Sequence, residues 1–156
     1  MGPIHRFDYA MMWDTVNLGA RCESGAKAYG AFCMVTGETQ WAAEETKDDI
    51  AYRYLDKIMV KVRTQPVSLY EPFGFKDDLP QDFQDCLDWF GQGIGKYLAQ
   101  DWVGALEAFD KAKAMESNQP HLTPGFENNP SMVFIDCYQM MKETPPGDDL
   151  NGIFSK

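Results

Sequence analysis

Histidine is scarce in this chain, with two residues in 156, and the four cysteines Cys22, Cys33, Cys86 and Cys137 are widely spaced. There is no CxxC pair and no histidine cluster beside a cysteine, so the spacing that builds a zinc site is missing. The thiols are expected to be buried and reduced. Long hydrophobic runs are missing too. No stretch approaches the roughly 18 apolar residues of a membrane-spanning helix, and Met1-Gly2-Pro3-Ile4-His5-Arg6 lacks the apolar core of a signal peptide. The expectation is a cytoplasmic protein without direct membrane insertion. Positive charge is the third deficit: 14 Lys and Arg stand against 24 Asp and Glu, for a net charge of -10. Residues 1–75 hold 8 basic and 10 acidic side chains and residues 76–156 hold 6 and 14, so the excess lies in the second half. A surface of that sign repels phosphate backbones and anionic lipid, which argues against nucleic acid as a partner.

What is present is apolar material for a core: 44% of the chain is hydrophobic and 13% of the chain is aromatic. Phe7–Trp13 reads as a short buried strand, and Asp14 or Thr15 caps a helix over Val16–Tyr29 that Gly30 closes. Phe32–Thr36 reads as a second strand and Glu38–Thr46 as a short helix. Ile50–Val62 and Val67–Tyr70 read as a strand pair around Thr64-Gln65-Pro66. From Glu71 to Pro80 the composition turns to Pro, Gly and Asp, which predicts a linker. Beyond it, Gln81–Gln100, Trp102–Glu116 and Pro130–Lys142 show helical periodicity, the last stopped by Pro145 and Pro146. The predicted fold is α/β (α+β) over residues 1–75, a linker at 76–80, and a small all-α helical hairpin with an extra helix in 81–156.

The arrangement with most chemical content is Asp14-Thr15-Val16-Asn17-Leu18-Gly19-Ala20-Arg21. Asn17 and Arg21 are four apart, so they project from one face in the first turns of the predicted helix. There the positive end of the helix dipole and unpaired backbone N–H groups favour an anion, and Arg adds a planar cation suited to phosphate. By periodicity alone, an Asn and an Arg at this spacing are more often a solvated polar face.

The residues themselves carry more. Phe7-Asp8-Tyr9, Asp14-Thr15-Val16-Asn17-Leu18, Ala20-Arg21 and Glu23 resemble the class III nucleotidyl cyclase segment written roughly DYTVMGDTVNLAARLE. Leu55-Asp56-Lys57-Ile58-Met59-Val60-Lys61-Val62-Arg63 and Gln65-Pro66-Val67-Ser68-Leu69-Tyr70-Glu71 resemble that family's closing strands, LDRVRVKGKSEPVRVYE. The resemblance covers residues 5 to about 75 and implies the C-terminal half of an adenylate or guanylate cyclase catalytic domain, an incomplete ferredoxin-like half-domain. It implies that Asn17 orients the nucleotide ribose, that Arg21 stabilises charge on the α-phosphate, and that Lys61 reaches the terminal phosphates. Positioning and well-placed cations are what phosphoryl chemistry requires.

Departures from the pattern matter as well. Ala10 stands at the purine-reading position, where a methyl group distinguishes neither base, so ATP and GTP remain alternatives. Trp13 and Val62 occupy positions that are glycine in the family. The resemblance implies Mg²⁺ or Mn²⁺, yet the family's metal-binding aspartates belong to a segment upstream of Met1. Asp8, Asp14 and Asp56 belong to other segments, so no metal ligand is assigned. The expectation is a chain inactive alone, needing a complementary cyclase half or a homodimer partner. A non-catalytic dimerisation or protein-interaction module is the alternative.

In the second half, Gly91-Gln92-Gly93-Ile94-Gly95-Lys96 superficially resembles a phosphate loop, but no strand precedes it and Tyr97 follows the lysine. Trp89, Gly93, Trp102, Ala105, Phe109 and Ala112 instead resemble one tetratricopeptide unit, with Gln92 and Lys96 departing from it. That unit is expected to pack against Val133–Met141 or against the cyclase half. Pro145–Lys156 resemble the close of bacterial cyclases that carry such a tail, with Leu150 where tryptophan is common.

Overall fold

A computed structural model of the chain describes residues 18–59, 65–143 and 153–154. The fold is mixed α/β: a small open sheet, antiparallel but for one short edge pairing, with several helices. Helix α1, whose described residues run 18–29, leads to β1 (Val35–Thr36), α2 (Gly37–Thr46), β2 (Ile50–Ile58) and β3 (Val67–Phe75). A 3₁₀ turn at Lys76–Asp78 precedes α3 (Gln81–Leu98), α4 (Trp102–Ala114), α5 (Pro130–Glu143) and β4 (Ile153–Phe154). The sheet order is β1-β3-β2-β4. β3 pairs antiparallel with β1 and β2, and β4 adds a two-residue parallel ladder against Lys57 and Ile58.

The predicted strand over Phe7–Trp13 lies outside the described residues. Most other elements fall where periodicity puts them, with two corrections. The second strand shrinks from Phe32–Thr36 to Val35–Thr36, because the residues before it are spent closing α1. Gly30 sits at φ +65°, its N–H bonds to Lys27 O and the Ala31 N–H to Ala26 O, the paired bonds of a glycine-terminated helix. The second correction concerns the linker: β3 runs through Glu71 and on to Phe75. Pro72, which has no N–H, is accommodated by a register shift between Ala51 and Tyr52 on the facing strand. Another shift between Tyr54 and Asp56 turns both Leu55 and Asp56 inward, and both are buried.

The helices close on one another as the small residues require. Gly93 lies on α3 against Phe109 of α4, and a Cβ there would meet the Phe109 ring at 2.6 Å. Phe90, Phe109 and Phe134 of α5 pack with ring centroids 5.2–5.5 Å apart. Each buried ring contributes roughly 1.5–3 kcal/mol relative to exposure. The extra helix therefore packs on the hairpin, and Gly91–Lys96 lies within α3, not in a loop.

Sheet and helices share one apolar cluster, which runs from Leu18 and Cys22 through Leu55, Val67 and Leu69 to Phe90, Phe109 and Phe134. At its centre lies a charge. Arg53 of β2 is 2% exposed. Its Nε donates to Glu71 Oε2 at 2.9 Å, and its Nη1 donates to both oxygens of Glu116 at 2.8 Å. The guanidinium is also held between the rings of Phe73 and Phe90, 4.8 Å from each centroid. Burial works against its charge, but Glu116 and Glu71 outweigh burial and raise its pKa. Glu71 comes from the sheet and Glu116 from just beyond α4, so the triad joins the two halves. Arg53→Met strands two carboxylates in the core and is expected to cost about 3–5 kcal/mol in urea unfolding. Combining it with Glu71→Gln and Glu116→Gln should recover part of that loss; a single variant as stable as the parent would contradict this account.

Candidate functional site

Arg21, which the resemblance singles out, and Lys27 are the exposed cations among the described residues of α1. Leu18, Cys22 and Ala26 recur every fourth residue and are buried, which presses that stripe of α1 onto the core. Arg21 lies off the stripe and is exposed. Its guanidinium has no ion pair among the described residues. Asn17, Lys61 and Ala10 lie outside the described residues, as do Trp13 and Val62. Of the expected constellation, then, the structure places Arg21 alone.

The far end of α1 is tied down by polar contacts that the sequence reading missed. The Tyr29 hydroxyl donates to Asp56 Oδ2 of β2, and the Lys57 N–H donates to Asp56 Oδ1 at 2.7 Å. Burial and the adjacent Asp56 carboxylate both push the Tyr29 pKa up, keeping the phenol protonated. Asp56, considered above as a carboxylate, is thus engaged with structural donors. Among the described residues, no group of three or more His, Cys, Asp or Glu side chains could hold a metal ion. The described residues do not fit the Mg²⁺ or Mn²⁺ that the resemblance implies. A period-2 reading of Ile50–Ile58 hides Asp56, because the register shift at Tyr54/Asp56 is what brings it inward.

A cleft of about 910 Å³ opens on another flank of α1, between the helix, residues 31–36 and the loop 125–128. Cys22, Lys27, Phe32, Cys33, Thr39 and Phe126 are among its walls, and Arg21 is not. The thiols differ from the expectation that all are buried. Cys22 and Cys86 are buried, Cys137 is half-buried and Cys33 is exposed. Beside Cys33, the exposed Phe32 donates its N–H to Glu71 Oε1 and rests its ring on Phe126. No disulfide joins any of the four.

No family model matches the chain, and no solved structure matches it. Among curated proteins it is similar to the "Adenylate cyclase, terminal-differentiation specific" of Dictyostelium discoideum. The two are 25% identical over 144 residues, which take in 91% of this chain and 6% of that protein. The chain therefore spans a small part of its relative's length, and the similar region includes helices as well as sheet. This is a distant relation to a protein named as an adenylate cyclase; it suggests a link to the nucleotidyl cyclase superfamily and nothing finer. Among the described residues, no helix is long and apolar enough to cross a membrane.

The thiols provide a test of the local geometry. Burial, with smaller contributions from the surrounding charges, pushes the Cys86 thiol up to about 12. At pH 8 such a group is ionised to roughly one part in 10⁴, and the thiolate is the reactive form. Brief iodoacetamide treatment at pH 8 should label the Cys33 peptide and leave Cys86 unlabelled in mass spectra, until denaturant is added. Labelling of Cys86 ahead of Cys33 would contradict the burial described here.

Proposed function

We propose that this chain supplies the ribose- and phosphate-binding face of a class III nucleotidyl cyclase, which converts ATP or GTP to the 3′,5′-cyclic nucleotide and pyrophosphate. In this reading residues 1–75 form the C-terminal, ferredoxin-like half of the catalytic domain, residues 76–80 link it onward, and residues 81–156 form the tetratricopeptide-like helical unit. The observation that carries the reading is Arg21. It is an exposed arginine on α1, free of ion pairs among the described residues, within a segment resembling the cyclase pattern. The distant similarity to a protein named as an adenylate cyclase supports it.

The roles follow from where charge develops. Asn17 holds the ribose so that its 3′-hydroxyl lines up with the α-phosphorus. As that hydroxyl attacks and pyrophosphate departs, negative charge builds on the α-phosphate oxygens, and Arg21 meets it with a planar donor pair. Lys61 holds the terminal phosphates and draws off charge from the leaving group. Ala10 offers no hydrogen bond to the purine, so base choice falls to other contacts. The carboxylates for Mg²⁺ or Mn²⁺ come from a complementary cyclase half, since a homodimer partner repeats this sequence and adds no assigned metal ligand.

A second reading, a non-catalytic dimerisation or interaction module, is favoured by α2. That helix has no buried residue, and its Trp41 is 61% exposed. Complementation separates the two readings. The chain alone should form no cyclic nucleotide from ATP or GTP with Mg²⁺ or Mn²⁺. Mixed with a cyclase domain that carries the metal aspartates, it should support turnover. Arg21→Ala should then lower kcat by about 10²–10³, the scale for losing one group aimed at transition-state charge. Binding without turnover would favour the module, and an Arg21→Ala variant with full complemented activity would remove the assigned role.

A further inference from the structure

We propose that Asn118 is a positioning residue for Arg21: a buried amide in the loop after α4 that clasps the C-terminal end of α1 and so sets the direction of the helix. The role rests on the cyclase reading of Arg21. Asn118 is 1% exposed and lies 88 residues from the group it holds. Its Nδ2 donates to Gly30 O, the carbonyl that follows the last turn of α1, and more weakly to Asn128 O at 3.5 Å. Its own backbone carbonyl accepts from Asn129 Nδ2 at 3.3 Å, and Asn129 Oδ1 accepts from Met132 N–H at 3.0 Å at the start of α5. The clasp is therefore built into the helical unit at both of its ends.

The other half of the clasp is a close approach. Gly30 has φ +65°, and a Cβ there would stand 2.5 Å from Asn128 O. Glycine both completes the turn and lets residue 128 reach the chain. Together with the Tyr29–Asp56 bond, this holds α1 from two directions: β2 on one side and the loop of residues 116–131 on the other. The opposite end of the described helix carries Arg21.

Leverage makes the contact matter for chemistry. Nine residues separate Arg21 from Gly30, roughly 14 Å along a helix at about 1.5 Å per residue. A tilt of about 4° at the clasp shifts Arg21 by about 1 Å, and a displacement of that size in a positioned group costs up to about 10²-fold in rate. Loss of Asn118 should therefore appear in kcat rather than in nucleotide affinity.

The test uses the full chain complemented with a cyclase domain bearing the metal aspartates. Asn118→Ala is expected to lower kcat by about 10- to 10²-fold with KM changed less than about 3-fold. Hydrogen exchange at the Ala31 amide, bonded to Ala26 O, should quicken in the same variant, while α3 amides keep their rates. Asn118→Ser keeps a shorter donor and is expected to fall between the two; it serves if Asn118→Ala does not fold. Lys111→Ala is the control, because it removes a cation lying over the Trp89 ring away from α1, and should change neither readout. Wild-type kcat or unchanged Ala31 exchange in the Asn118 variants overturns the role alone, as does an equal loss in Lys111→Ala. A wild-type chain that never turns over in complementation overturns the cyclase reading and the role with it.

Discussion

A guanidinium cannot sit dry in a protein core unless its donors are answered, and the placement of Arg53 dictates much of what surrounds it. Two carboxylates answer one cation, so the cluster carries excess negative charge that other donors must meet. The Ser131 N–H and hydroxyl donate to Glu116 Oε1, and the Phe32 N–H donates to Glu71 Oε1. Burial drives the Glu71 pKa up and Arg53 draws it back only in part. Each of these donors belongs to a different piece of chain: β2, the segment after α1, and the start of α5. Such a cluster stabilises little compared with apolar packing of the same volume, but it accepts few alternative arrangements of sheet against helices.

Seen this way, the charges of the described chain divide by what they already hold. Arg53, Glu71 and Glu116 satisfy one another, Asp56 is met by Tyr29 and Lys57, and Lys76 pairs with Asp48 at the surface. Arg21, like Lys27, is an exposed cation without an ion pair among the described residues, on a helix whose opposite stripe and far end are both fixed.

Much of this was legible in the sequence because the signals were local. Helix spacing, the stop at Gly30, the strand pair around Pro66 and the apposition of Gly93 with Phe109 all depend on residues near in sequence or on size alone. What escaped the reading was long-range polar pairing. Arg53 shares a strand face with apolar neighbours and Glu71 continues the alternate-residue series of Val67 and Leu69, a signal of one buried charge of each sign that was not read. Nothing local marks Glu116 as the third member or Asn118 as the partner of Gly30. The register shifts in β2 and β3 likewise obscure which side of the sheet Asp56 and Phe73 face. The extent of β3 was misjudged because Pro72 and Gly74 look like loop residues, and only pairing with β2 makes them strand.

The distance along the chain between Arg53 and Glu116 has a bearing on how the protein is made. The two are 63 residues apart. At about 5–20 residues per second, the ribosome delivers Glu116 roughly 3–13 s after Arg53. Until Glu71 follows, Arg53 has neither carboxylate, and from then until Glu116 it has one; the α3–α4 hairpin, complete only at Ala114, needs only near neighbours and closes as Glu116 arrives. The early half of the chain thus waits on the late half, and the interval exposes unpaired strand edges and apolar surface that a newborn chain must keep from neighbouring chains.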